Sequence, residues 1–340
     1  MSPLAGRSRF PDDFIWGAAT SAYQIEGATD VGGRGASIWD TFSRRPGAVV
    51  HGDTGDVAAD HYRRYPQDVA LMAHLGMGMY RFSVAWTRIQ PDGRGPANQN
   101  GLDFYRRLVD ELLANDIAPN LTLYHWDLPQ ALQDAGGWAA RDTALRFADF
   151  AELVFRAFHD RVDWWSTINE PWCVALLGYA AGIHAPGIQD PRQAVRAVHH
   201  VLLGHGLAVQ RMRAMYPGPR HAIVLNVAPV HAAPGQTGSA LEAGVRLTDG
   251  YRNRIWLEPL FRGQYPEDMV VHVARYGGFP VEAGDLTVIS TPLDWLGINY
   301  YNDTDLTADE GATTPDAEAQ VHPGVIGVRG ARRPAPRPPP

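Results

Sequence analysis

Six short apolar runs, separated by stretches long enough to form crossover helices, restrict this chain to one class of fold. The runs are Phe14–Ala19, Gly78–Val84, Ala118–His125, Trp164–Asn169, Ala222–Val227 and Trp295–Asn299. Each is nearly continuous in apolar character rather than alternating, as a strand buried on both faces requires, and such strands belong to parallel sheets covered by helices. Helical patterns fall between them, over Val57–Leu75 with Pro66 inside, Leu102–Asn115, Thr143–His159 and Pro191–Met215. In the second of these, Leu102, Tyr105, Leu108, Val109 and Leu112 share one face, and Pro191 sits where a helix accepts proline, at its first position. The pattern predicts repeated βα units around a parallel sheet, an α/β fold.

Composition narrows the chemistry. Net charge is -7 and the isoelectric point is near 6.0, which supplies no broad positive field for nucleic acid or an anionic membrane. All 30 basic residues are arginine, so Schiff-base catalysis and the lysine of a phosphate-binding loop are excluded. The single cysteine, Cys173, can form neither an internal disulfide nor a thiolate cluster, and it predicts a reducing, cytoplasmic setting. No run approaches the roughly 18 apolar residues of a membrane span. Gly32-Gly33-Arg34-Gly35 and Gly76-Met77-Gly78 lack dinucleotide-binding spacing and read as turns. His199, His200 and His205 are spaced by one and five residues, not four, so no metal site is expected.

Three strand ends carry polar groups. Trp164-Trp165-Ser166-Thr167-Ile168-Asn169-Glu170-Pro171-Trp172 runs from an apolar strand into an Asn-Glu pair, with Pro171 ending the pairing. That places Glu170 at a strand C-terminus, where barrel enzymes keep their chemistry, and its tryptophan neighbours favour a general acid through desolvation. Taken alone, Glu170 is equally a carboxylate exposed at a loop start. Leu123-Tyr124-His125-Trp126-Asp127-Leu128-Pro129 repeats the arrangement one unit earlier. An indole wall with a polar donor suits a sugar ring, although an isolated His125 reads as a core histidine. Phe14 to Gly27 adds Gln24, which both donates and accepts. Arg81, inside Tyr80-Arg81-Phe82-Ser83, is expected to need a carboxylate partner, and a structural ion pair is its simplest explanation.

Together, F-x-W-G-A-A-T-S-A-Y-Q-I-E-G (Phe14 to Gly27), Y-R-F-S (Tyr80 to Ser83), L-Y-H-W-D-L-P (Leu123 to Pro129), T-I-N-E-P (Thr167 to Pro171) and L-G-I-N-Y-Y (Leu296 to Tyr301) resemble the family 1 glycoside hydrolases, the β-glucosidase family. The likeness runs in order from residue 10 to about 302. It implies a (β/α)8 TIM barrel, of which about six βα units are encoded here, and retaining hydrolysis of small-molecule β-D-glycosides without cofactor or metal. It further implies that Glu170 is the general acid/base and that Gln24, His125, Trp126 and Asn169 line the pocket of the nonreducing sugar. Arg81, Asn299 and Tyr301 would orient the nucleophile, with Asn226 in support behind them.

The same resemblance exposes a departure. The family's nucleophile is the Glu of a T/S-E-N-G motif, and the 340 residues contain none. After Tyr301 the glutamates are Glu310 and Glu318, in Asp-Glu-Gly and Ala-Glu-Ala contexts with no apolar strand before them. Residues 1–302 therefore read as an incomplete barrel with open edges, and 303–340, ending in Ala, Arg and Pro alone, as an unpacked, unrelated tail. Absence of lysine beside abundant Arg, Ala, Gly and Pro suggests GC-rich coding DNA and a frameshift or gene-model error between Asp303 and Val328. Two functions remain open at this stage. One is a truncated β-glucosidase, inactive for want of its nucleophile; the other is a noncatalytic sugar-binding or interaction protein that keeps the pocket.

Overall fold

The computed structural model describes residues 10–308 and, in backbone, 328–334. Its strands in chain order are β1 (Gly17–Ala19), β2 (Met79–Ser83), β3 (Ala118–Tyr124), β4 (Trp164–Asn169), β5 (Arg220–Asn226), β6 (Val230–Ala232), β7 (Gly297–Asn299), β8 (Asn302–Ala308) and β9 (Val328–Pro334). The order β1-β2-β3-β4-β5-β7 forms one sheet, parallel throughout, from Gly17 opposite Met79 to Asn226 opposite Asn299. All six expected strands are present and adjacent in the expected sequence.

Four long helices cover the sheet: α1 (His61–His74), α2 (Gln99–Ala114), α3 (Arg141–Phe158) and α4 (Pro191–Met215). Pro66 lies within α1 without ending it. The α4 N-terminus joins Pro191 to an Asp190 cap, whose carboxylate accepts from the Arg192 amide at 2.9 Å. The core between sheet and helices is aromatic, with Trp86 stacked on Phe150 at 4.7 Å and Trp138 packed on Phe147 at 5.8 Å, all four fully buried. A buried charge pair lies inside the core. Arg88 meets Glu26 at 3.0 Å while Tyr105 donates to the other Glu26 oxygen at 2.6 Å, so both charges of this pair keep a partner.

The two ends of the sheet differ from its middle. Beside β1, Phe10, Phe14 and Trp16 form an exposed cluster with ring centroids 4.5 to 4.8 Å apart. Beside β7, Ile298, Tyr300 and Tyr301 are exposed. These are the open edges that a six-strand reading expects, since among the described residues no strand pairs with the outer side of β1 or β7.

A second, three-stranded sheet corrects part of the expectation for the tail. β8 pairs parallel with β6 and antiparallel with β9, and Thr304 and Leu306 are buried. Packing therefore continues past residue 303, because Leu306 offers one apolar anchor that the polar sequence around it obscures. β9 lies at the edge of this sheet, the position where Pro334 is tolerated. Residues 309–327 and 335–340, including Glu310 and Glu318, lie outside the described residues.

Candidate active site

Gln24, Arg81, His125, Trp126, Asn169, Glu170, Asn299 and Tyr301 line one cavity of about 200 Å³ at the C-terminal ends of the strands. Parallel pairing puts these ends in register, so residues at the ends of strands β1 through β7 that are up to 277 positions apart in sequence (24 to 301) meet in one cleft.

Asn169 is the hub. Its Oδ1 accepts from Arg81 Nη1 and Nη2, both at 3.1 Å, and from Asn299 Nδ2 at 3.1 Å. Its Nδ2 donates to His125 Nε2 at 3.0 Å, and its backbone carbonyl accepts from Trp126 Nε1 at 2.8 Å. An imidazole that accepts through Nε2 is neutral. Burial, reinforced by the Arg81 charge, holds the pKa of His125 down to about 3.

Glu170 leaves β4 in a left-handed backbone conformation, with φ 50°. The Glu170 amide donates to Val224 O on β5 at 2.8 Å, which anchors the turn. One carboxylate oxygen, Oε1, accepts from Asn299 Nδ2 at 2.5 Å; the other, Oε2, accepts from the Cys173 thiol at 3.1 Å. Trp126 shares the left-handed region, with φ 81°. Two neighbouring strand ends thus hold strained non-glycine residues where the acid and the aromatic wall stand, a concentration typical of functional sites. Burial and the Glu170 charge raise the pKa of the Tyr301 phenol.

Arg81 departs from expectation. Among the described residues no carboxylate lies within 4 Å of its guanidinium, whose hydrogen bonds go to the neutral Asn169 side chain. Burial lowers its pKa, with the Glu170 charge opposing. Asn226 does not line the cavity; its amide reaches the Cys173 sulfur at 3.6 Å.

Several contributors were not legible as site residues. A second chamber of about 230 Å³ adjoins the first, sharing Gln24, His125 and Trp126 and adding Tyr23, Trp39, Asp53 and Thr54. Trp39 stacks toward Trp126, with ring centroids 6.5 Å apart, and His184 packs on both at 5.4 and 5.3 Å. The sequence signal for Trp39 is indirect: it lies within the Ser37–Asp40 capping box that starts its short helix. Asp127 is fully buried behind Trp126, and burial lifts its pKa to about 7.

A parallel barrel segment with a carboxyl group, a neutral imidazole, three carboxamides and an indole wall at its strand ends has the chemistry of a carbohydrate-type barrel site. The chain belongs to glycosyl hydrolase family 1, whose family model matches residues 6–324. It is 52% identical over 330 residues to the thermostable beta-glucosidase B of Thermobispora bispora, covering 96% of this chain and 66% of that protein. Among solved structures it resembles a psychrophilic beta-glucosidase from Micrococcus antarcticus, with TM-score 0.86, 45% identity, and coverage of 97% and 71%. The family 1 β-glucosidase of Thermotoga maritima matches with TM-score 0.86 and 42% identity over 96% of this chain and 70% of that one. The chain thus spans about two thirds of the length of these relatives.

Proposed function

We propose that this chain carries the sugar pocket and the acid/base half of a retaining β-glucosidase site, acting on small-molecule β-D-glycosides. The observation that carries this reading is the convergence of Gln24, His125, Asn169 and Glu170 on one cavity. In the proposed chemistry, Gln24, His125 and Asn169 hold the hydroxyls of the nonreducing sugar while its C–H face lies on Trp126. Glu170 protonates the departing glycosidic oxygen and later takes a proton from the attacking water. A retaining enzyme also needs a second carboxylate about 5 to 5.5 Å away. Among the described residues lining this cavity, Glu170 is the one carboxylate. Arg81, Asn299 and Tyr301 form the donor wall that such a carboxylate would face. No residue of this site requires a cofactor or metal for that chemistry. No described helix is long and apolar enough to cross a membrane, and with its lone cysteine we assign the protein to the cytoplasm.

The test is binding rather than turnover. Deoxynojirimycin, an iminosugar seen bound to the Thermotoga maritima β-glucosidase, is titrated calorimetrically into the 340-residue chain. The expected result is saturable binding, weakened about tenfold or more by Glu170→Gln, as loss of a hydrogen bond to a charged group implies, and about three- to tenfold by His125→Ala, which loses a neutral one. Binding indifferent to both substitutions contradicts the proposal.

A further inference from the structure

Cys173 is buried, and its position follows from the turn that leaves β4. The Cys173 amide donates to the Glu170 carbonyl at 2.9 Å, closing the first turn of the following helical segment and setting side chains 170 and 173 on one side of it. The thiol lies 3.1 Å from Glu170 Oε2. Behind it, Asn226 at the end of β5 donates to Sγ at 3.6 Å. The order of donors is set by chemistry. An amide N–H has only donation to offer sulfur, which leaves the thiol proton for the Glu170 oxygen.

We propose that Cys173 is a positioning residue for Glu170: its S–H holds Oε2, Asn299 holds Oε1, and Asn226 orients the thiol, so that the carboxyl faces the cavity in one rotamer. This rests on the reading of Glu170 as the acid/base. The arrangement needs a thiol that stays protonated, and burial together with the Glu170 charge raises the pKa of Cys173 well above its ordinary value. It also gives a purpose to the strained turn at Glu170, which carries the side chain off the strand end to where both tethers reach it. Between them, Asn299 and Cys173 supply one tether for each oxygen.

The chain has one cysteine, so its infrared spectrum contains a single S–H stretching band. In wild type that band is expected below the free-thiol position, moving upward in Glu170→Gln, because a neutral amide oxygen is a weaker acceptor than a carboxylate. A band at the free-thiol position, unmoved by Glu170→Gln, overturns the proposal. The consequence is read from deoxynojirimycin affinity. Cys173→Ala is expected to weaken binding roughly three- to tenfold, while Cys173→Ser, which keeps an O–H donor, stays within about twofold of wild type. Equal losses in both variants mean that the residue acts through packing, and no loss in either means that it does not position Glu170; each result overturns the proposal. If the S–H band responds to Glu170→Gln but that same variant binds deoxynojirimycin as wild type does, the hydrogen bond stands and the assignment of Glu170 to the sugar pocket fails.

Discussion

The purified 340-residue chain is expected to hydrolyse an aryl β-glucoside at least about a thousandfold more slowly than the 1–1,000 per second of ordinary enzymes. Acid/base and nucleophile act as a unit in a retaining glycosidase, and removing one member of such a unit costs several powers of ten even when the other is perfectly placed. Among the described residues the cavity offers Glu170 alone, and Arg81, which points into it, has only neutral hydrogen-bond partners. The assay compares wild type with Glu170→Gln at saturating substrate. Turnover within about tenfold of ordinary enzymes, abolished in Glu170→Gln, would show that a second carboxylate of this chain reaches the site. Turnover absent beside intact sugar binding fits the acid/base half proposed above and equally the noncatalytic alternative, so the pocket is judged on binding.

A second large effect is expected on acidification. His200, His205 and His221 are 0 to 1% exposed, and burial drops their pKa values to about 4, 3 and 4. His200 Nδ1 is bonded to the Trp138 carbonyl at 3.0 Å and His205 Nδ1 to Thr167 Oγ1 at 2.7 Å, arrangements suited to neutral rings. In the unfolded chain each titrates near 6.5. Between about pH 6.5 and 4 the unfolded state therefore binds more protons than the native state, and stability falls as pH falls through that window. At pH 5 each ring removes about 2 kcal/mol, roughly 6 kcal/mol for the three. His125 and His184, depressed to about 3 and 4 in the cleft, act in the same direction. Asp127 acts in the opposite one. With its pKa raised to about 7, it favours the native state at lower pH and returns about 2 kcal/mol between pH 7 and 5. The net loss is comparable to the whole stability of a typical domain, about 5–15 kcal/mol. Circular dichroism across pH 8 to 3.5 is expected to show cooperative unfolding near pH 5, with the midpoint moved lower in His205→Gln. A native signal unchanged down to pH 4 contradicts this account.

Much of the sheet was legible because buried parallel strands leave an unmistakable apolar run. The differences lie at its edges. The first run was expected to pair from Phe14, but pairing starts at Gly17 and Phe14 to Trp16 are exposed, since an edge strand lacks the neighbour that would bury them. The fifth strand begins earlier than expected, at Arg220, because that guanidinium stacks over Trp164 at 4.5 Å and so is accommodated beside the sheet. The small sheet of β6, β8 and β9 was missed: three residues of β6 and a mostly polar β8 carry almost no periodic signal. Within the site, motif residues at strand ends were visible, whereas Trp39, His184 and Cys173 depend on where loops fold back. Arg81 shows the limit most directly. Its burial was readable from Tyr80-Arg81-Phe82, but its partner turned out to be an amide 88 positions away.

The most direct test of the central claim is a crystal structure of the 340-residue chain soaked with an uncleaved aryl β-glucoside. The account predicts the nonreducing sugar against Trp126, its hydroxyls on Gln24, His125 and Asn169, and a Glu170 carboxyl oxygen about 3 Å from the glycosidic oxygen. A glycoside seated elsewhere, or a Glu170 carboxyl turned away from that oxygen, would contradict it.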